Sequence, residues 1–457
     1  MLTAEVETFS ATRSQRLPGG MAEVALLAYP AVLQTLSDTL MQVVDSAIVG
    51  RLGVTQLGAV GFGGVWMWTA MVVFVGTATG VQTFVSQTFG AGEAQRCGRW
   101  PWQALYVLLP ASILWVGFIG LAFGPLVRLL GPSAELQTFA TQYVHMKILG
   151  GPAIVAAVVL TSFFRGLGDT RTPLVATVLA NVLNAVMAYG LVFGRFGLPA
   201  WGVAGAGAAT ALSCWIYTSI MFAAFLRGRM RRTYGTRPVP PDRTAMRRFA
   251  RTSAPVGGQW ILEMISFALF STIIARMGNE QMAASQAMIQ LLSLSFMQAF
   301  GISIASGALV GRYVGARDPV SAERSHRSAM KLGMVVAAVV ATLFLGLPDV
   351  LLGVFTTDPA VIALGRPLLA LGAFFQLIDA IGIIAGGSLR GAGDTRWPFV
   401  VQASLAWCLR LPLVYLLAVV LRGGVTGAWF GELGYVAVLG IAWLWRFRGG
   451  VWRTIRI

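Results

Sequence analysis

Five ionisable residues stand inside long apolar runs: Asp45 in LMQVVDSAIVG, Glu263 in GGQWILEMISF, Asp379 in FFQLIDAIGII, Arg410 in LAWCLRLPL and, as a weaker fifth, Asp38. Charge in a hydrocarbon interior costs at least about 2.5–3.5 kcal/mol, so such a residue is read as functional by default. A carboxylate there must take a proton, bind a cation or pair with a neighbouring helix. Glu263 and Asp379 have no basic residue three or four positions away along their own runs. Glu263 lies about 12 residues, or roughly 18 Å, into its run, which is near mid-bilayer. Arg410 is about as deep and cannot shed its charge. It needs a carboxylate, with Glu263 or Asp379 as the expected partner. A static ion pair and a coupling element are both open for it. Asp45 sits toward the far end of its helix, where it either caps a helix end near water or attracts cations into a central cleft.

Uncharged polar residues accompany them. Gln34 and Gln259 hold equivalent places 225 positions apart, and Asn181 and Asn184 share one helix. Interhelical hydrogen bonding and the lining of a polar cleft are the two roles open to them. Asp169 and Asp394, in two RGxGDT loops, are expected to cap helices and pair with nearby arginines.

Other chemistry is missing from the sequence. Cys97, Cys214 and Cys408 make no CxxC or metal spacing and are expected to be buried apolar thiols. His145 and His326 form no metal site with a nearby cysteine and are expected in loops or at helix ends. Lys147 and Lys331, the two lysines, each follow methionine, so there is no Walker A motif. HExxH and GxSxG do not occur. An enzyme and an ATP-driven pump are therefore not expected, nor is a cofactor.

The elements that must position these charges are membrane helices. Of the 457 residues, 56% are hydrophobic and 11% charged, and the mean hydropathy is +0.72. Soluble domains carry about 25% charged residues, so lipid is the expected solvent. Twelve runs are long enough to span: 25–48, 59–82, 101–123, 142–163, 173–193, 201–225, 251–275, 284–309, 329–347, 363–387, 397–420 and 425–446. Each is too long for a barrel strand, so the expected fold is an all-α integral membrane protein. The net charge of +16 is concentrated in alternate loops and the ends of the chain, as with Arg227 to Arg248, Arg312 to Lys331, and Arg446, Arg448, Arg453 and Arg456. The positive-inside rule then places both termini in the cytoplasm. No basic surface interleaved with aromatics suits nucleic acid, and a cleaved signal is not expected, since Arg13 and Arg16 belong to a polar stretch read as a cytoplasmic tail.

The chain repeats itself. Pro30 answers Pro255, Gly53 answers Gly278, Gly90-Ala91 answers Gly315-Ala316, and RGLGDTRTP from Arg165 answers RGAGDTRWP from Arg390, each pair 225 positions apart. Six helices return the chain to its starting side, so the copies are parallel and related by an axis along the membrane normal. The expected domains are a tail at 1–24, a six-helix lobe at 25–225, a linker at 226–250, a second lobe at 251–446 and a tail at 447–457. Two such lobes enclose a cleft that alternating access can open on either side.

The PxxxQ…MxxVDSxxVG pattern of the first helix, the paired RGxGDTRxP loops and the stretch FGLPAWGVAGAGAATA together resemble the multidrug and toxic compound extrusion (MATE) family, across residues 20–450. The NorM-like branch is the nearest likeness: Glu263 lies eight residues after Pro255, Asp379 precedes SLRGAGDTR, and Asp45 follows a valine in the first helix. The branch that carries an aspartate four residues after the fifth-helix asparagine differs, because Ala188 stands there. The resemblance implies two pseudo-symmetric six-helix bundles in a bacterial inner membrane, exporting small organic cations in antiport with Na⁺ or H⁺. It implies that Glu263 and Asp379 help form the coupling-ion site, and Asp45 matches the family's first-helix aspartate. Gln34, Asn184, Gln259 and Arg410 are expected substrate or coupling residues from their own placement, Arg410 departing from the family pattern. A monomer surrounded by lipid is expected. The alternative is a flippase for a lipid-linked precursor or another amphipathic lipid, which calls for more basic residues in the cleft than the sequence reading finds.

Overall fold

The computed structural model describes residues 17–131, 133–354, 358–455 and 457. Most of the expected N-terminal tail, with Arg13 and Arg16, lies outside the described residues, as does Arg456. Twelve helices have the length and apolarity to cross a membrane. They are α1 (Met21–Gly50), α2 (Val54–Gly90), α3 (Ala94–Leu129), α4 (Ala134–Leu167), α5 (Arg171–Phe193), α6 (Gly202–Phe225), α7 (Arg243–Ala275), α8 (Asn279–Gly315), α9 (Pro319–Gly346), α10 (Pro359–Ala392), α11 (Arg396–Val420) and α12 (Gly424–Arg448). All twelve runs expected from the sequence are present, most of them longer than their apolar cores. α7 begins eight residues before the apolar run, because the Asp242 carboxylate accepts from Thr244 N and Ala245 N and starts the helix inside the polar segment.

α1–α6 and α7–α12 form two bundles, each around its own apolar core. The repeat governs how they meet: α1 packs on α8, and α2 packs on α7. Glycines set the closeness. A methyl on Gly76 of α2 would come within 2.9 Å of Gly257 Cα on α7, and one on Gly301 of α8 within 2.9 Å of Val32 Cα on α1. Gly76 and Gly301 are repeat equivalents, as are Val32 and Gly257, so the two contacts are one contact seen twice. Near the arginine-rich end, Gly90 meets the Arg312 carbonyl and Gly315 meets the Gln87 carbonyl, again a symmetric pair.

The lobes are joined from mid-helix to that arginine-rich end. Thr35 Oγ1 donates to Met297 O at 3.3 Å, Gln82 Nε2 to Ile304 O at 2.9 Å, Gln87 Nε2 to Gly391 O at 3.1 Å and Arg312 Nη2 to Leu167 O at 2.7 Å. Tyr313 on α8 donates to the Glu23 carboxylate of α1 at 2.7 Å. An apolar cluster of Val24 and Ala28 with Ile302, Ala305 and Leu309 backs these bonds. Among the described residues, no hydrogen bond joins the lobes in their other halves.

Candidate functional site

The tightest charge cluster lies between α7, α11 and α12, and local sequence brings those helices together. Gly423, Gly427 and Gly431 recur every fourth residue along one face at the start of α12. A methyl on Gly431 would lie 2.8 Å from Val414 Cα, and one on Gly427 2.5 Å from Leu417 O, so the bare face lets α12 touch the α11 backbone. α11 is itself widened into a π turn over Ala406–Arg410, just before Pro412. Proline supplies no amide hydrogen, which frees a preceding carbonyl and permits the wider turn. The turn ends on Arg410. Gly431→Val is expected to push α12 off α11 and lower the unfolding temperature in detergent. An unfolding temperature equal to that of the wild type would contradict this packing account.

Arg410 is fully buried. Its Nε and Nη2 donate to Glu432 on α12, both at 2.7 Å, a two-pronged pairing. Its Nη1 donates to Glu263 Oε1 at 2.8 Å and to Ser266 Oγ at 3.1 Å. The other oxygen of Glu263 accepts from Gln402 Nε2 at 3.0 Å and Tyr435 OH at 3.1 Å. The guanidinium lies 5.0 Å from the centre of the Tyr435 ring and 5.6 Å from that of Phe267. Four N–H directions are thus spent on oxygens and the faces on aromatic rings, the arrangement a buried cation requires.

This row opens on a cavity of about 320 Å³ inside the second lobe, lined by Glu263, Phe296, Gln376, Asp379, Arg410 and Glu432 among others. Asp379 faces the same space from α10 but has no hydrogen bond to any described residue. Two carboxylates therefore share one guanidinium, and Asp379 is a third without a direct partner among the described residues. Among the described residues, no three acidic, histidine or cysteine side chains are grouped closely enough to hold a metal ion.

The first lobe carries a second, looser network. Asn184 Nδ2 donates to both oxygens of Asp45 at 3.3 Å. Asn181 on the same helix bonds Ser37 Oγ at 3.0 Å and lies within reach of Asp38. Gln34 donates to Thr177 Oγ1 at 3.1 Å and accepts from Arg165 Nη2 at 2.9 Å. Its repeat equivalent Gln259 is buried, with an amide nitrogen that has no partner among the described residues. Lys147 Nζ donates to Tyr143 OH at 2.8 Å within the span of α4.

The structure thus joins Glu263 and Arg410, places Asp379 across the same cavity, pairs Asp45 with Asn184, and leaves Gln34 and Gln259 elsewhere. Of the two alternative partners expected for Arg410, the structure selects Glu263 and not Asp379, and adds Glu432. Sequence reasoning missed Glu432, although it is ionisable, lies within the last span and directly follows the glycine-rich face. It also assigned Arg165 and Arg390 to loops, whereas both lie in the last turns of helices α4 and α10, and it passed over Lys147 inside α4. His326 is not at a helix end. It is buried within α9, with Nδ1 2.8 Å from Ser388 Oγ. His145 does lie in the last turn of an α-helical segment, Ala134–Lys147 of α4, as expected, 2.8 Å from Gly120 O. Of the thiols, Cys97 is buried but Cys408 is exposed, on the outer side of α11. Asp169 caps α5 through the amides of Arg171 and Thr172, and Asp394 pairs with Arg446 at 2.8 Å.

A duplicated twelve-helix protein with ionisable groups buried in each lobe is the architecture of a polytopic transporter. The chain belongs to the MatE family, which it matches twice, over residues 30–190 and 255–416. It is 31% identical to a probable multidrug resistance protein NorM of Xanthomonas campestris pv. campestris, with 96% of each chain covered. It is 28% identical to a probable multidrug resistance protein NorM of Thermotoga maritima, over 96% of this chain and 94% of that one. Its fold superposes with a TM-score of 0.87 on the outward-facing conformation of a multidrug resistance MATE family transporter, 20% identical, covering 95% of this chain and 97% of the other.

Proposed function

We propose that this protein exports organic cations by alternating access, in antiport with protons. The observation that carries the reading is the arrangement of Glu263, Asp379 and Glu432 about Arg410 in one cavity. When all four are ionised the cavity is net negative, and Asp379 is the carboxylate with no cation of its own. An unpaired carboxylate in such a place must take up a cation. A proton suits the geometry better than Na⁺. Na⁺ needs several free oxygen ligands, whereas both Glu263 oxygens are already engaged and a fixed guanidinium stands between Glu263 and Glu432.

The cavity wall nearest the other lobe is α8, which contributes Phe296 and Ala299. The same stretch of α8 packs on α1 through Gly301 and Met297. α1 in turn carries Asp38 and Asp45. Cargo held near those aspartates and a proton held at Asp379 are thus separated by a single helix that both can bias. The arginine-rich end faces the cytoplasm by the positive-inside rule, so the joined halves close the inner side and the chain is drawn outward-facing. A bacterial inner membrane and a monomeric working unit complete the reading.

The test is ethidium efflux from proteoliposomes under an imposed pH gradient and, separately, an imposed Na⁺ gradient. Efflux driven by the pH gradient alone is expected. Efflux driven only by Na⁺ would replace the proton with Na⁺. No efflux under either gradient, with the protein correctly inserted, would overturn the cation reading in favour of an amphipathic lipid cargo.

A further inference from the structure

Arg165 on α4 and Arg390 on α10 are repeat equivalents that belong to opposite lobes. Both line one small cavity between the lobes, of about 50 Å³, together with Gln82, Thr83, Trp260 and Ser303. No aspartate or glutamate lines it. Arg165 gives one bond to Gln34 at 2.9 Å, and its buried Nε has no hydrogen-bond partner among the described residues. Arg390 gives a single long bond to Ser303 Oγ at 3.4 Å. Among the described residues, neither guanidinium forms an ion pair with a carboxylate.

Two guanidinium groups whose charge cannot be shed border one small space. Asp38 attracts Arg165 at longer range, while Arg390 has no charged group acting on it among the described residues. A buried charge without a partner is strongly unfavourable, and an anion between the two would compensate both. We infer that this cavity binds one small anion, chloride or a phosphate-sized oxyanion, bridged between Arg165 and Arg390. A water molecule needs about 10–15 Å³ of such space, so the cavity admits an anion with a few waters and excludes an organic ligand. Around it, Gln82 donates to Ile304 O at 2.9 Å and Thr83 to Arg390 O at 2.8 Å, both bonds crossing from one lobe to the other. The anion therefore sits inside the contact that joins the lobes and is released when they part. The site holds neither the cargo nor the coupling ion itself, although Arg165 bonds Gln34 and acts on Asp38 beside the proposed cargo position.

The test is thermal unfolding of the full-length purified protein in detergent. Chloride and, separately, phosphate replace gluconate at constant ionic strength. The expected result for the wild type is a saturable rise of roughly 2–4 °C with at least one of the two anions. Saturation with chloride alone assigns a halide; saturation with phosphate assigns an oxyanion. The rise is lost in Arg165→Gln and Arg390→Gln and kept in Arg251→Gln, a control at an exposed arginine. Arg390→Lys keeps the charge but not the fork and raises the half-saturating concentration several-fold. No saturable rise in the wild type with either anion overturns the inference, as does a half-saturation unchanged in Arg390→Lys.

Discussion

Arg410→Met abolishes gradient-driven efflux and lowers the unfolding temperature in detergent. Methionine fills much of the volume but gives up the ion pairs and the guanidinium's positions over the Phe267 and Tyr435 rings, so the loss falls on the charge. Glu432 is 4% exposed and bonded to Arg410 through both oxygens. Removing one partner of such a buried pair costs about 3–5 kcal/mol, because the other is left charged without compensation. The double variant Arg410→Met with Glu432→Gln removes both charges and is expected to recover a large part of that stability. Transport separates the two roles open to Arg410. If the arginine only braces α11 against α12, the double variant exports ethidium again. If it answers the protonation of the cavity, the double variant is stable and inactive, which is the expected result. A double variant that unfolds as early as the single one would contradict the pairing itself.

Asp379→Asn and Glu263→Gln are expected to part company in a manner that composition alone would not foresee. Asp379 has no direct partner, so its amide variant removes the proposed proton acceptor and leaves the ion-pair row standing. Efflux driven by a pH gradient falls to the level of protein-free liposomes, while the unfolding temperature changes little. Glu263 holds four groups: Arg410, Gln402, Tyr435 and, through Arg410, Glu432. Glu263→Gln therefore loses efflux and stability together. Wild-type efflux in Asp379→Asn would sink the assignment of the proton to that residue. Equal loss of stability in the two variants would show that Asp379 has a structural partner.

Much of this protein is written in its order of residues because lipid imposes a simple rule. Runs of about 20 apolar residues become helices wherever they fall, since backbone groups have no water to bond. Twelve spans, the parallel orientation of the two six-helix copies and the 225-residue repeat follow from that rule and from Pro30, Pro255 and the RGxGDT loops. The depth of Glu263, Asp379 and Arg410 follows as well, because depth is a count along one helix. The glycines were visible but their partners were not: Gly76 against Gly257 is a fact about two helices from different lobes.

Pairing is a property of neighbouring helices, and there sequence reasoning stopped. The linear order puts Arg410 and Glu432 on adjacent helices, yet the bond needs the bare Gly423–Gly427–Gly431 face and the π turn before Pro412 to bring them together. Asp379, equally acidic and equally deep, is left across the cavity because α10 approaches from its far side. Arg165 and Arg390 look like loop residues beside the RGxGDT turns. Only the packing of α4 and α10 against the opposite lobe turns them toward a shared cavity. The sequence by itself determined the helices, the duplication and the cost of each buried charge, since those depend on hydropathy and rise per residue. The tertiary structure alone decided which charges cancel and which are left to bind something, since that depends on which helix faces which.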